Sequence, residues 1–180
     1  LPSSVLLELA DRAKKSRATA TTVCLKRWSP DYVTAFDVLK SGRLGMPSVL
    51  RFTSCETAVR EPGTTSGVLC DFGYDRLDQL LRLADSRPRR VFARRFIDDG
   101  ATTEHGIWMT VEFEGGCCAH LDLQTRSNLS YRTGWMIEGS KGAFRSERIH
   151  TVTADGEIVD EPVVRPKISA DAYIDELLKL

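Results

Sequence analysis

The chain of 180 residues has no excess of charge, with 25 basic residues balancing 25 acidic ones. That argues against a nucleic-acid binder working through a general basic surface and against an acidic disordered tail. No apolar run approaches the roughly 18 residues that a membrane-spanning helix needs, and no segment has signal-peptide anatomy. Cysteine is poorly spaced for a metal. Cys24, Cys55, Cys70, Cys117 and Cys118 are odd in number and include no Cys-x-x-Cys pair. This argues against a zinc site and against a secreted disulfide framework, and points to reduced, mostly buried thiols in a cytoplasmic protein. His105, His120 and His150 have no ligand spacing among themselves, so no metal is expected. Glycine is present, but no Gly-x-Gly-x-x-Gly, phosphate loop or Gly-x-Ser-x-Gly occurs. The chain has no evident nucleotide-binding loop of its own.

What remains is an ordinary globular composition, 42% hydrophobic, enough for a real core at this length. Val5, Leu6, Leu9, Ala10 and Ala13 recur at helical spacing and predict a helix over 3–16. Residues 21–25 read as a short strand. Ser29-Pro30 starts a second helix, with serine as cap and proline in the first turn; its stripe is Tyr32, Val33, Phe36 and Leu39, and Gly42 ends it. A strand over 48–57 and a polar loop over 61–67 follow. A helix over 69–84 has Phe72, Leu77, Leu80, Leu81 and Ala84 on its apolar face. Beyond Arg87-Pro88 the period falls to 2. Strands are expected over 91–98, 106–114, 117–126, 135–139, 143–153 and 157–159, separated by hairpin-type turns such as Glu114-Gly115-Gly116 and Asp155-Gly156. A last amphipathic helix is expected over 171–180. Helices first and hairpin strands afterwards imply an α+β fold: an open, mostly antiparallel β-sheet with helices packed on one face. In the strand near residue 120, Ala119, Leu121 and Leu123 should meet the helices, leaving Cys118, His120, Asp122 and Gln124 on the other face. The start at Leu1 without methionine, and the stop inside a helical pattern, suggest a piece of a longer protein.

Two groups of residues could carry chemistry. Asp71, Asp75 and Asp78 fall at i, i+4 and i+7, a narrow arc of one helix face. Their mutual repulsion should raise at least one carboxyl pKa, which suits an acid or base near neutral pH. The plainer alternative is a solvated face with Asp78 paired to Arg82. Lys26-Arg27-Trp28 ends the first expected strand and precedes a helix, a position that often contacts ligands, and Arg27 is a candidate grip for a carboxylate or phosphate. The alternative makes Arg27 a structural ion-pair partner and Trp28 a core residue.

Taken together, the segments resemble the C-terminal part of the Gfo/Idh/MocA oxidoreductases, a family that includes glucose–fructose oxidoreductase and inositol dehydrogenase. Leu7-Glu8-Leu9-Ala10-Asp11-Arg12-Ala13 is similar to the helix after the family's Glu-Lys-Pro motif. Lys26-Arg27-Trp28-Ser29-Pro30 is similar to its Asn-Arg-Arg-Phe-x-Pro segment, and Ser41-Gly42-Arg43-Leu44-Gly45-Met46-Pro47 to its Ser-Gly-x-Leu-Gly-x-Pro turn. Gly67-Val68-Leu69-Cys70-Asp71-Phe72-Gly73-Tyr74-Asp75 follows Gly-x-x-x-Asp-x-Gly-x-His, with Asp75 where the histidine stands. Val111 to Gly116 and Gly134 to Gly142 are similar to later strands and turns.

The resemblance implies a substrate-binding and oligomerisation domain over 26–180. Residues 1–25 would be the remnant of an N-terminal Rossmann domain, which would hold NAD or NADP in the full-length protein. It implies an oxidoreductase acting on a sugar, polyol or related hydroxy compound, forming a homodimer or tetramer through the sheet, with no nucleic-acid or membrane partner. Asp71 and Asp75 would be catalytic, and Lys26, Arg27, Trp28 and Asp78 would bind substrate. Histidine titrates near about 6.5 and aspartate near about 3.9, so Asp75 needs a raised pKa to act as base. Its presence also admits a non-catalytic relative serving as ligand sensor or assembly module. An interaction module unrelated to dehydrogenases is the third reading. The 180-residue chain on its own is expected to leave NAD and NADP unreduced with sugars or polyols. Absorbance of the reduced nicotinamide checks this, and any turnover by the isolated chain refutes it.

Overall fold

The structure is a computed structural model describing residues 3–20, 24–55, 67–126, 134–145 and 147–166. Helix α1 spans Ser3–Ser16, a 3-10 turn Leu25–Trp28, and helix α2 Pro30–Lys40. Strand β1, Pro47–Cys55, is followed by a π-helical turn, Leu69–Gly73, that runs straight into helix α3, Tyr74–Ala84. Seven further strands complete the chain: β2 Pro88–Phe96, β3 Gly106–Phe113, β4 Cys118–Gln124, β5 Gly134–Gly139, β6 Ala143–Arg145, β7 Arg148–Val152 and β8 Ile158–Pro162. They form one sheet in the order β2-β3-β4-β1-β5-β6-β7-β8. Every pairing is antiparallel except β1 with β4. The sheet is open and mostly antiparallel, as the hairpin turns predict.

The pleat sends alternate residues to opposite faces. Leu50 and Phe52 of β1, Ala119, Leu121 and Leu123 of β4, and Trp135 and Ile137 of β5 are all buried. So are Tyr32, Ala35 and Val38 of α2 and Leu80, Leu83 and Ala84 of α3, which belong to the same core. The outward face carries Cys118, His120, Asp122 and Gln124, all half-buried. Trp135 is a packing residue, its ring 4.9 Å from that of Phe52 and 6.4 Å from that of Tyr32. Gly42, at φ +73°, closes the end of α2. Two motif turns are stitched together. Ser140 N–H donates to the Met46 carbonyl at 3.0 Å and Lys141 N–H to that of Leu44 at 2.9 Å.

Several local expectations change. Leu25–Trp28 is a 3-10 turn rather than a strand end, closed by Arg27 N–H to the Cys24 carbonyl at 3.0 Å and Ser29 N–H to that of Lys26 at 3.1 Å. Ser29 does not cap α2; its hydroxyl donates instead to the Lys26 carbonyl at 2.7 Å. Pro30 does occupy the first turn. Leu81 is 42% exposed, because the buried face of α3 runs through Arg76, Gln79, Leu80 and Leu83 and a neighbouring residue is turned away by about 100°. The expected strand over 143–153 is two strands, β6 and β7, with Glu147 in the left-handed region at φ +66°. Pro88 starts β2 rather than merely breaking a helix, which suits the first residue of an edge strand. Helix α1 forms where expected, but its stripe finds no core: Leu6 and Leu9 are exposed, and so is Leu7. The expected helix over 171–180 lies outside the described residues, as do 21–23 and most of the 61–67 loop.

Among the described residues, no helix is long and apolar enough to cross a membrane. Leu121 is fully buried between the strands and the helices, so Leu121→Ala is expected to lower the unfolding free energy by about 2–5 kcal/mol. A denaturant titration measures that loss.

Candidate functional site

The site is built where α3 crosses the 3-10 turn. Asp78 takes Arg27 in a two-pronged ion pair, with Nε to Oδ2 at 2.7 Å and Nη2 to Oδ1 at 2.6 Å. Such paired, charge-assisted bonds fix the guanidinium plane as well as attract it. Asp78 therefore pairs with Arg27 rather than Arg82, and Arg27 is a structural partner rather than a free anion grip.

The next residue of the same helix, Gln79, is completely buried and bonded at both ends of its amide. Its Nε2 donates to the Lys26 carbonyl and, at 3.4 Å, to Ser29 Oγ, while its Oε1 accepts from Arg76 Nη1 at 2.8 Å. Arg76, itself buried, also reaches Asp31 Oδ2 at 3.4 Å and lies over the Phe52 ring at 4.2 Å. A buried amide left without partners is costly, so this arrangement holds the backbone of Lys26 firmly against α3.

Asp75 lies on this surface. Its Oδ1 is buried without a hydrogen-bond partner among the described residues. Burial pushes its pKa above the ordinary carboxylate value, and the charge of Asp78 adds to the rise. The charges of Lys26 and Arg76 and the Cys24 thiol act in the opposite direction. The three-carboxylate reading thus identifies a raised pKa, but desolvation is the main cause and repulsion a lesser one. Cys24 is itself pushed up, by burial first and then by Asp78, so its thiol stays protonated and inert beside Asp75.

Asp71 sits half-buried on the π-helical turn. Glu104, a buried residue between β2 and β3, anchors that turn: its Oε1 accepts from Leu69 N–H at 3.1 Å and its carbonyl from Val68 N–H at 3.4 Å. A Cβ at Gly67 would strike the Glu104 carboxyl, so a side chain there would displace this anchor. Such π-helical turns inside helices are frequent at functional sites. Trp28 walls a cleft of about 210 Å³ with Arg27, Tyr32, Val33, Phe36 and Arg82.

The structure thus brings Lys26, Asp75, Arg27 and Asp78 around one crossing. Gln79, Arg76 and Glu104 are the residues that sequence reasoning missed. Arg76 and Gln79 had a visible signal, since they are polar residues at buried-stripe positions of α3. Glu104 had none, because its partner lies 35 residues away. Among the described residues, no group of three or more His, Cys, Asp or Glu could hold a metal ion.

Because burial raises Asp75, the folded protein holds that proton more tightly than the unfolded chain. The associated stabilisation is complete below the ordinary carboxylate range and is lost as pH rises through the raised value. Asp75→Asn is therefore expected to raise the thermal midpoint by a few degrees at pH 7 and leave it little changed at about pH 3. Melting curves at the two pH values check the sign.

Comparison with known proteins locates the fold. No curated protein matches the chain. An NAD-binding protein from Listeria innocua superposes with a TM-score of 0.80 at 20% identity, covering 97% of this chain and 61% of its own. An oxidoreductase from Agrobacterium radiobacter, solved with NAD+, L-tartaric acid and magnesium, gives 0.68 at 17% identity, covering 91% of this chain and 51% of its own. The chain thus spans little more than half the length of these proteins, and likeness at such identities speaks for the fold alone. The model of the GFO/IDH/MocA C-terminal domain matches residues 32–145, more than half of the sequence, and the chain belongs to that family.

Proposed function

We propose that the chain is the substrate-binding and oligomerisation part of an NAD- or NADP-dependent oxidoreductase acting on a sugar, polyol or related hydroxy compound. The observation that carries this reading is Asp75. It stands at the position of the family's histidine, with one buried, unpartnered oxygen and a pKa raised by burial. A carboxylate of that kind accepts a proton more readily near neutral pH than an ordinary aspartate does.

A nicotinamide dinucleotide, when bound, supplies the acceptor for the hydride. The residues present fit the substrate side of that chemistry. The pyrophosphate side calls for a glycine-rich turn at a helix start, and the sequence offers no Gly-x-Gly-x-x-Gly. The dinucleotide is therefore assigned to an upstream domain, of which residues 1–25 would be the end. That assignment agrees with the exposed leucines of α1, which need a partner.

In this scheme Asp75 takes the proton of the substrate hydroxyl, and Asp71 is its acidic companion on the preceding turn. Lys26 and Trp28 contact substrate from the 3-10 turn, while Arg27 and Asp78 hold that turn in place. The outward sheet face, with Trp108 44% exposed beside Asp122, supports self-association into a dimer or tetramer. The absence of paired thiols among Cys24, Cys55, Cys70, Cys117 and Cys118 supports a cytoplasmic location. Burial pushes Cys117 up to about 11, so that thiol stays protonated.

One observation favours a second reading, a non-catalytic sensor or assembly module: aspartate replaces the family's histidine. In the full-length protein, Asp75→Ala is expected to lower kcat/KM by about 10²–10⁴ in a nicotinamide-reduction assay over a panel of polyols and hydroxy acids. A parent protein that reduces no nicotinamide, together with an Asp75→His variant that does, would instead establish the second reading.

A further inference from the structure

We propose that Lys26 selects substrates bearing a carboxylate beside the reacting hydroxyl, so that the substrate class is a sugar acid or related hydroxy acid rather than a neutral polyol. This rests on the reading of Asp75 as the group that faces the hydroxyl.

Charge pairing around the crossing leads to Lys26. Arg27 is committed to Asp78 through two bonds of 2.7 and 2.6 Å. Arg76 is committed to Gln79 at 2.8 Å and Asp31 at 3.4 Å, with the Phe52 ring beneath it. Those pairs cancel. Of the charges acting on Asp75, those of Arg76 and Asp78 are paired in this way, which leaves that of Lys26, an exposed ammonium acting on a carboxylate with a buried, unpartnered oxygen. Among the described residues the Lys26 ammonium has no hydrogen bond or close ion pair, yet of the charges acting on Asp75 its own is the strongest. Its backbone is held in advance, since the Lys26 carbonyl accepts from Ser29 N–H at 3.1 Å, Ser29 Oγ at 2.7 Å and the buried Gln79 amide. A main chain ordered before binding leaves less freedom to lose when a ligand pairs with its side chain.

The proton balance gives the arrangement its use. As the carbonyl forms, the substrate carbon gives up its hydrogen as hydride to nicotinamide, which is reduced, and the hydroxyl proton passes to Asp75. With a neutral substrate, that transfer turns an Asp75–Lys26 pair into an isolated ammonium, which opposes it. A substrate carboxylate changes the balance. It pairs with Lys26, withdraws the positive charge that holds Asp75 down, and leaves the ammonium still paired once Asp75 is protonated. The acid that Lys26 attracts is also the acid that makes Asp75 the stronger base.

The test uses the full-length protein and four probes: D-gluconate and D-glucuronate as acids, D-glucitol and D-glucose as neutral counterparts. Calorimetric titration measures binding, and nicotinamide absorbance measures turnover. The acids are expected to bind about tenfold more tightly, and Lys26→Met to weaken them about tenfold more than the neutral compounds, with Lys26→Arg restoring much of the difference. Equal affinity for acids and neutral compounds, equal losses in Lys26→Met, or no binding of any probe overturns the proposal. The two readings separate cleanly. Acids held in a Lys26-dependent way without turnover keep the selection and remove hydride transfer. Neutral polyols oxidised without an acid preference remove the selection and keep hydride transfer.

Discussion

The crossing of α3 over the Leu25–Trp28 turn is held by one buried amide, and the site depends on it. Gln79 of α3 ties its side-chain amide to a turn 53 positions away in the sequence. Its donors take up the Lys26 carbonyl and the Ser29 hydroxyl; its acceptor is filled by Arg76. The ion pair of Arg27 with Asp78 closes the same crossing from the other side at 2.6 Å. A surface ion pair alone contributes little, but a partly desolvated, two-pronged pair backed by a fully satisfied amide fixes one geometry. That geometry sets the distance between an ammonium on the turn and a carboxylate on the helix.

The sheet supplies the rigid backing. Phe52 lies on the central strand β1, and its ring supports both Trp135 and the Arg76 guanidinium. A charged group placed over an aromatic face gains attraction without needing water. The polar network therefore lies directly on the hydrophobic core, and the same ring serves both. Glu104 performs the corresponding task at the start of α3, where it anchors the π-helical turn that carries Asp71.

The elements were legible in the sequence where burial is one-sided. Alternation in β3 and β4 and the stripe of α2 follow directly from which face meets the core, and Leu121 and Tyr32 fall where their periods put them. The residues of the candidate site were nameable by type and order, since Asp75 and Lys26 sit in segments that resemble the family's motifs. Their roles were not. Spacing made Arg27 an anion grip and Asp78 a partner of Arg82, whereas the fold pairs Arg27 with Asp78 across 51 positions. Ser29 is a residue type that caps helices, yet the Lys26 carbonyl takes its hydroxyl. Neither period nor propensity foretells the π-helical turn, whose first amides are held by a glutamate far along the chain. Local rules reach as far as local partners do, and this site is made from distant ones.

The position of β1 has a consequence for how the protein acquires its shape. This strand is the first of the eight along the chain, yet it lies fourth in the sheet, between β4 and β5. Val49 meets Cys118 on one side and Glu138 on the other, so neither neighbour exists until a long stretch of later chain has been made. Closing such loops early is entropically uphill, and topologies rich in distant pairings assemble slowly. During synthesis, the strand that will become the middle of the sheet is for a time an unprotected margin. The Pro47 at its head and the Arg51 on its outward side are residues of the sort that discourage premature strand addition by other chains.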